Sequence, residues 1–133
     1  MTNRILKFRV WDKLAKQFTY PDKGYQGHYV LTLNGQFQNL QNGSGGDEYV
    51  VQQWTGLRDS KWVEIYEGDI IRGKFFDTDY RHLKTVNSEV VWMERYACFN
   101  IGIEEWRYSG EPVTIIGNIF ENSELLNNEL EKN

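Results

Sequence analysis

The chain has 133 residues, with 15 Lys and Arg against 19 Asp and Glu, and a formal net charge of −4. That length suits one domain with a real core, and the acidic balance argues against a sequence-independent nucleic-acid binder, which needs a dense cationic face. The single cysteine, Cys98, makes no internal disulfide and no structural zinc site by itself, and fits a reducing compartment.

Aromatics make up 15% of the residues, against two prolines and 12 glycines, a mix that suits half-buried pleated strands joined by turns. No apolar run approaches a membrane span. The first ten residues alternate charge with hydrophobe, unlike a signal peptide. A soluble cytoplasmic protein is expected.

Residues 5–11 read as a strand, with Leu6, Phe8 and Val10 on one face and Lys7, Arg9 and Trp11 on the other. Residues 17–20 return as a second hairpin arm, and 21–24 form a break. Residues 29–33 are a third strand, closed by Asn34-Gly35, which reads as a two-residue hairpin turn with φ > 0 at both positions. The loop Asn42-Gly43-Ser44-Gly45-Gly46 has the composition of a linker, and no Lys-Ser or Lys-Thr follows it as a phosphate loop requires.

Residues 49–54 are the next strand, ended by Thr55-Gly56, with a polar connection over 57–63. Residues 70–76 form a strand in which Gly73 marks a bulge or a close backbone approach. Residues 77–87 are charged and poorly patterned, which reads as a loop. Residues 88–93 and 96–103 form a hairpin, and 113–120 the last strand. Asn122 or Ser123 caps a short helix with Glu124 in its first turn.

Four segments carry a family resemblance. They are Lys7-Phe8-Arg9-Val10-Trp11-Asp12, Gln53-Trp54-Thr55-Gly56-Leu57-Arg58-Asp59, Glu64-Ile65-Tyr66-Glu67-Gly68-Asp69-Ile70-Ile71, and Ile116-Gly117-Asn118-Ile119-Phe120-Glu121-Asn122-Ser123-Glu124-Leu125-Leu126. Together, in this order, they resemble the YopX family of phage and prophage proteins. Two departures stand out. Lys61-Trp62-Val63 replaces an Asn-Gly-Lys type of turn, and Ser123 stands where the family has proline. The resemblance implies a mostly β protein of one domain. An N-terminal β segment spans 1–46, a small SH3-like barrel 47–121, and a short helix and tail 122–133. It implies no reaction, and no catalytic residues are carried over.

No other motif rises above ordinary structure. Asp77-Thr78-Asp79 with His82 has donors of the kind metals use, at a generic spacing that fits a solvated loop better. His28 and His82 sit in no nucleophile arrangement. Cys98 reads as a buried, inert mid-strand thiol. Glu104 and Glu105 point to opposite faces of a strand. Glu67 and Asp69 read as structural, with Asp69 bonding backbone in the turn. No cofactor and no metal site is expected, and the protein is expected not to be an enzyme.

Two binding readings remain. Trp54, Trp62 and Tyr66 are expected to form an exposed cluster that binds a protein partner or a second copy of the chain, since Trp and Tyr are favoured at interfaces. Alternatively, Arg4, Lys7, Arg9 and Trp11 on the basic N-terminal strand stack on and neutralise nucleic acid. The N-terminal basic excess also complements the glutamates of residues 104–133, within or between subunits.

Overall fold

A computed structural model of the chain describes residues 3–20, 29–40, 46–77, 81–100, 106–108 and 112–127. The break at 21–24, His28, the glycine-rich loop at 41–45, Asp79, Glu104, Glu105 and the C-terminal tail lie outside the described residues. Among the described residues the fold is mainly β, with a curled half-barrel sheet and no long helix. The backbone divides into two compact units, Met1–Trp54 and Thr55–Asn133.

In the first unit, β1 (Phe8–Asp12) pairs antiparallel with β2 (Gln17–Thr19) and with β5 (Tyr49–Arg58). The turn after β1 is built by Asp12, whose Oδ1 accepts the backbone N–H groups of Leu14 and Ala15 at 2.9 and 3.0 Å. This local bonding is the reason Asp opens turns. Trp11 packs edge-on against Phe18, with centroids 4.9 Å apart, which ties the two arms together. A second hairpin joins β3 (Tyr29–Leu31) and β4 (Phe37–Asn39). Its turn differs from the two-residue type expected. Gly35 N–H donates to Thr32 O and Thr32 N–H to Gln36 O, and only Gly35 has positive φ, at 86°. This is a three-residue loop ending in a left-handed glycine. Phe37 is buried and packs edge-on against Tyr49.

β5 runs on past Thr55 and Gly56 to Arg58 instead of ending there. Gly56, at φ 88°, absorbs an irregularity within the strand. Thr55 Oγ1 holds it, donating to Ile65 O at 2.8 Å and accepting from Leu57 N–H at 3.1 Å. Next to β5 in the sheet lies β6 (Glu64–Tyr66).

In the second unit, β7 (Asp69–Asp77) is the central strand. β8 (Leu83–Glu89) pairs with it on one side over its whole length, while β12 (Thr114–Asn118) and β11 (Trp106–Tyr108) pair with successive halves of it. Much of the loop expected at 77–87 is therefore strand, since Leu83 to Asn87 pair in register with β7. Its inward-facing positions are Lys84, Val86 and Ser88, only one of them apolar, while Leu83 on the other face is exposed, which hid the alternation. β9 (Val91–Met93) and β10 (Cys98–Asn100) form the separate hairpin, with Ala97 at positive φ in its turn.

Alternation along β7 sorts the two faces. Ile71, Gly73 and Phe75 point into a core with Ile65, Val86, Val90 and Val113, against which Phe99 and Ile115 pack. Arg72 and Lys74 point outward and are exposed. Each fully buried Ile, Val or Phe contributes about 1.5–3 kcal/mol. Gly73 is a close approach and not a bulge. It pairs in register with Val86, and a Cβ there would stand 2.6 Å from Val113 Cγ1. Gly68, at φ 84°, turns β6 into β7, and Asp69 Oδ2 accepts Tyr66 N–H at 2.8 Å across that turn.

The C-terminal helical segment is a four-residue 3₁₀ turn, Ser123–Leu126. Asn122 precedes it but makes no side-chain cap. Its Oδ1 instead accepts Asn118 N–H at 3.2 Å, which ties the turn back to β12.

Candidate functional site

The expected aromatic cluster separates. Tyr66 is 2% exposed and Trp54 is 9% exposed, so neither offers a ring to a partner. Both lie on strands of the β2-β1-β5-β6 sheet, where period-two alternation turns them inward. Trp62 is 76% exposed and stands at the tip of the β5–β6 hairpin.

The tip is built from the chain outward. Asp59 N–H donates to Val63 O at 2.8 Å, and Trp62 N–H donates to Asp59 O at 2.9 Å. These bonds close a three-residue loop, Ser60-Lys61-Trp62, of the same form as the Leu33-Asn34-Gly35 loop. In that form the last residue must be left-handed, and Trp62 has φ 67°. A tryptophan thus occupies the position that glycine takes elsewhere in this chain. An L-residue in this conformation costs on the order of 1–2 kcal/mol, and Lys16 and Ala97 hold the same conformation in the β1–β2 and β9–β10 turns.

Three groups hold the tip. Asp59 is buried, and its Oδ1 accepts the backbone N–H groups of Lys61 and Val63, each at 2.9 Å. Its Oδ2 accepts Ile115 N–H from β12 at 3.1 Å. Burial alone raises its pKa, but the backbone N–H groups of Ile115, Val63 and Lys61 outweigh it and lower the pKa below the usual value. Ser60 adds two bonds, from its N–H to Val113 O and between its hydroxyl and that of Thr114, each 2.8 Å. Arg58 lies over the Trp62 ring, 5.1 Å from the centroid, and pairs with Glu64 at 3.6 Å. Leu57 and Val63 flank the tip and are about half exposed (49% and 51%). The result is a rigidly mounted, projecting ring with an apolar fringe.

The N-terminal basic set does not form a phosphate-facing strip. Arg9 is 3% exposed. Its Nε donates to Gln52 Oε1 at 2.9 Å and its Nη1 to Tyr20 OH at 3.3 Å, with its guanidinium 4.1 Å from the Phe18 centroid. Trp11 is buried against Phe18. Lys7 is half-buried with Nζ over the Trp54 ring at 5.0 Å. Only Arg4, ahead of the strand, is exposed. Both faces of β1 are covered, which its alternating pattern did not reveal.

Cys98 is exposed on β10, contrary to the buried thiol expected. Among the described residues no three His, Cys, Asp or Glu side chains group to hold a metal ion, and no helix is long and apolar enough to cross a membrane.

Asp59 was missed from sequence. An aspartate that opens a tight loop is a signal for it, but its bond to Ile115 spans two distant segments.

The sequence profile described as YopX protein matches residues 7–127. The chain belongs to the YopX family. A crystal structure of protein EF1440 from Enterococcus faecalis is similar to it, with a TM-score of 0.54 and 25% identity, over 93% of this chain and 99% of that one. No curated protein matches. In this YopX-family chain, the four resembling segments hold the joints of the fold. Lys7 to Asp12 is the strand at the centre of the first sheet. Gln53 to Asp59 ends on the carboxylate that clamps the Trp62 loop. Glu64 to Ile71 contains the Tyr66–Asp69 turn, and Ile116 to Leu126 contains the Asn118–Asn122 bond.

Proposed function

We propose that the protein is a non-enzymatic interaction module of phage or prophage origin, working in the bacterial cytoplasm, whose contact element is the β5–β6 hairpin. The observation that supports this most is the left-handed conformation of Trp62. A large apolar ring is kept exposed where a glycine relieves the backbone, and it is clamped in place by Asp59 and Ser60. Pre-ordering lowers the entropy lost on binding, and Trp is the residue most often found at the energetic centre of protein interfaces. The apolar fringe of Leu57 and Val63 suits a protein surface, either a partner's or a second copy's.

The test compares wild-type protein with Trp62→Gly. Light scattering reads self-association, and affinity capture from infected or lysogenic cells reads partners. A complex that depends on Trp62 is the expected result. A strict monomer that captures the same proteins with and without Trp62 overturns the reading.

A further inference from the structure

The outer face of β7 carries an arginine that is positioned as well as exposed. Arg72 Nε donates to Asn87 Oδ1 at 2.9 Å across the β7–β8 pair. Asn87 is itself buried, and its Nδ2 donates to Leu125 O of the C-terminal 3₁₀ turn at 2.7 Å. The turn therefore fixes the asparagine, and the asparagine fixes the plane of the guanidinium by its inner edge. A planar fork held this way matches the geometry of a phosphate. Lys74 is exposed two residues further along the same face. Alternate residues of a strand stand about 6.8 Å apart, close to the separation of successive phosphates along an extended single strand. Phe76, the next residue on this face, pairs with Leu83 and is half-buried, which adds ring and apolar surface beside the cations.

We propose that this outer face of β7 and β8 binds single-stranded nucleic acid. The Arg72 fork grips one phosphate, Lys74 neutralises the next, and Phe76 contacts a base or sugar. An extended single strand fits better than a duplex. The two cations run in one line along a strand, whereas a duplex presents its phosphates on two diverging backbones. The surface is distinct from the Trp62 tip and needs no protein partner, so its test stands or falls apart from the reading above.

The experiment titrates the full chain against a fluorescein-labelled thymidine oligonucleotide across a range of salt, and against a duplex of mixed sequence. The expected result is binding at low salt, stronger to the single strand, with affinity falling as salt rises. Since the chain is acidic overall, with net charge −4, such binding must be local. Each phosphate contact on a single strand contributes about 0.7 to the slope of log K against log salt. Arg72→Gln with Lys74→Gln should weaken binding at least tenfold and flatten the slope by about 1.4, twice that increment. Lys74→Gln alone, at an exposed position away from the Asn87 contact, should flatten it by about 0.7. Arg72→Lys keeps the charge but loses the fork, and should weaken binding several-fold. No binding at low salt, equal or stronger binding to the duplex, or wild-type affinity and slope in the Lys74→Gln and double variants would each overturn the proposal. Unchanged affinity in Arg72→Lys would overturn the role of the positioned fork.

Discussion

Asp59 and Ile115 lie 56 positions apart, yet the backbone N–H of Ile115 donates to Asp59 Oδ2 at 3.1 Å while Oδ1 of the same carboxylate closes the loop that presents Trp62. One side chain thus shapes the hairpin tip and fastens it to β12. A buried carboxylate is tolerable here because three N–H groups replace the water it gives up.

Replacing Asp59 with Ala leaves those three donors without their acceptor. Hydrogen bonds to a charged group are worth about 1.5–3 kcal/mol each in favourable cases and are not additive, so Asp59→Ala should destabilise by about 3 kcal/mol in a denaturant melt. The folded pKa of Asp59 lies below the ordinary aspartate value. The stabilisation is therefore present above that value and lost as pH falls through the lower, folded value. The gap in melting temperature between wild type and Asp59→Asn should be widest near neutral pH and narrow in acid below about pH 4.

Glu89 has the opposite sign. Burial, and then the charge of Glu67, raise its pKa above the ordinary glutamate value. The folded state is unpenalised below that value and loses stability as pH rises through the higher, folded value. Glu89→Gln should therefore melt at a higher temperature than wild type at neutral pH, with the difference vanishing in acid. A constant difference across the pH series contradicts this account.

At position 62 the informative comparison is Gly against Ala. Both remove the ring and its contact with Arg58. Only Gly relieves the left-handed backbone, and although it adds freedom to the unfolded chain, the strain term is larger at about 1–2 kcal/mol. Trp62→Gly should be about 1 kcal/mol more stable than Trp62→Ala. Equal stabilities mean that the loop adopts another conformation in solution.

Gly73→Ala puts a methyl 2.6 Å from Val113 Cγ1 inside the core. Overpacking of this kind costs about 1–3 kcal/mol. Combining it with Val113→Ala removes the clashing methyls, so the double variant should be more stable than the sum of the two single losses. Strict additivity in urea melts rules out the close approach as the cause.

Much of the architecture was legible in the residues themselves. Alternation located β1, the stretches 70–76 and 113–120 read as strands, Asn34-Gly35 marked a hairpin, and Asp69 in its turn bonds backbone as its position after Gly68 implies. The misses have specific causes. β8 was hidden because its core-facing side offers a single apolar residue, Val86, between Lys84 and Ser88, and only its register with β7 reveals it. The C-terminal segment winds a single 3₁₀ turn because Asn122 spends its side chain on Asn118 instead of capping a helix.

The site divides in the same way. The sequence alone determined the mainly β class, the membership in the YopX family and the oddity of Trp62 in a loop where a glycine belongs, because composition, turn chemistry and short motifs are properties of neighbouring residues. Only the tertiary structure decided that Tyr66, Trp54, Arg9 and Trp11 are buried and Trp62 is not. It also showed that Asp59 holds the loop from which Trp62 projects. Burial and long-range hydrogen bonds depend on which strands come together, and that information lies in pairs of residues tens of positions apart.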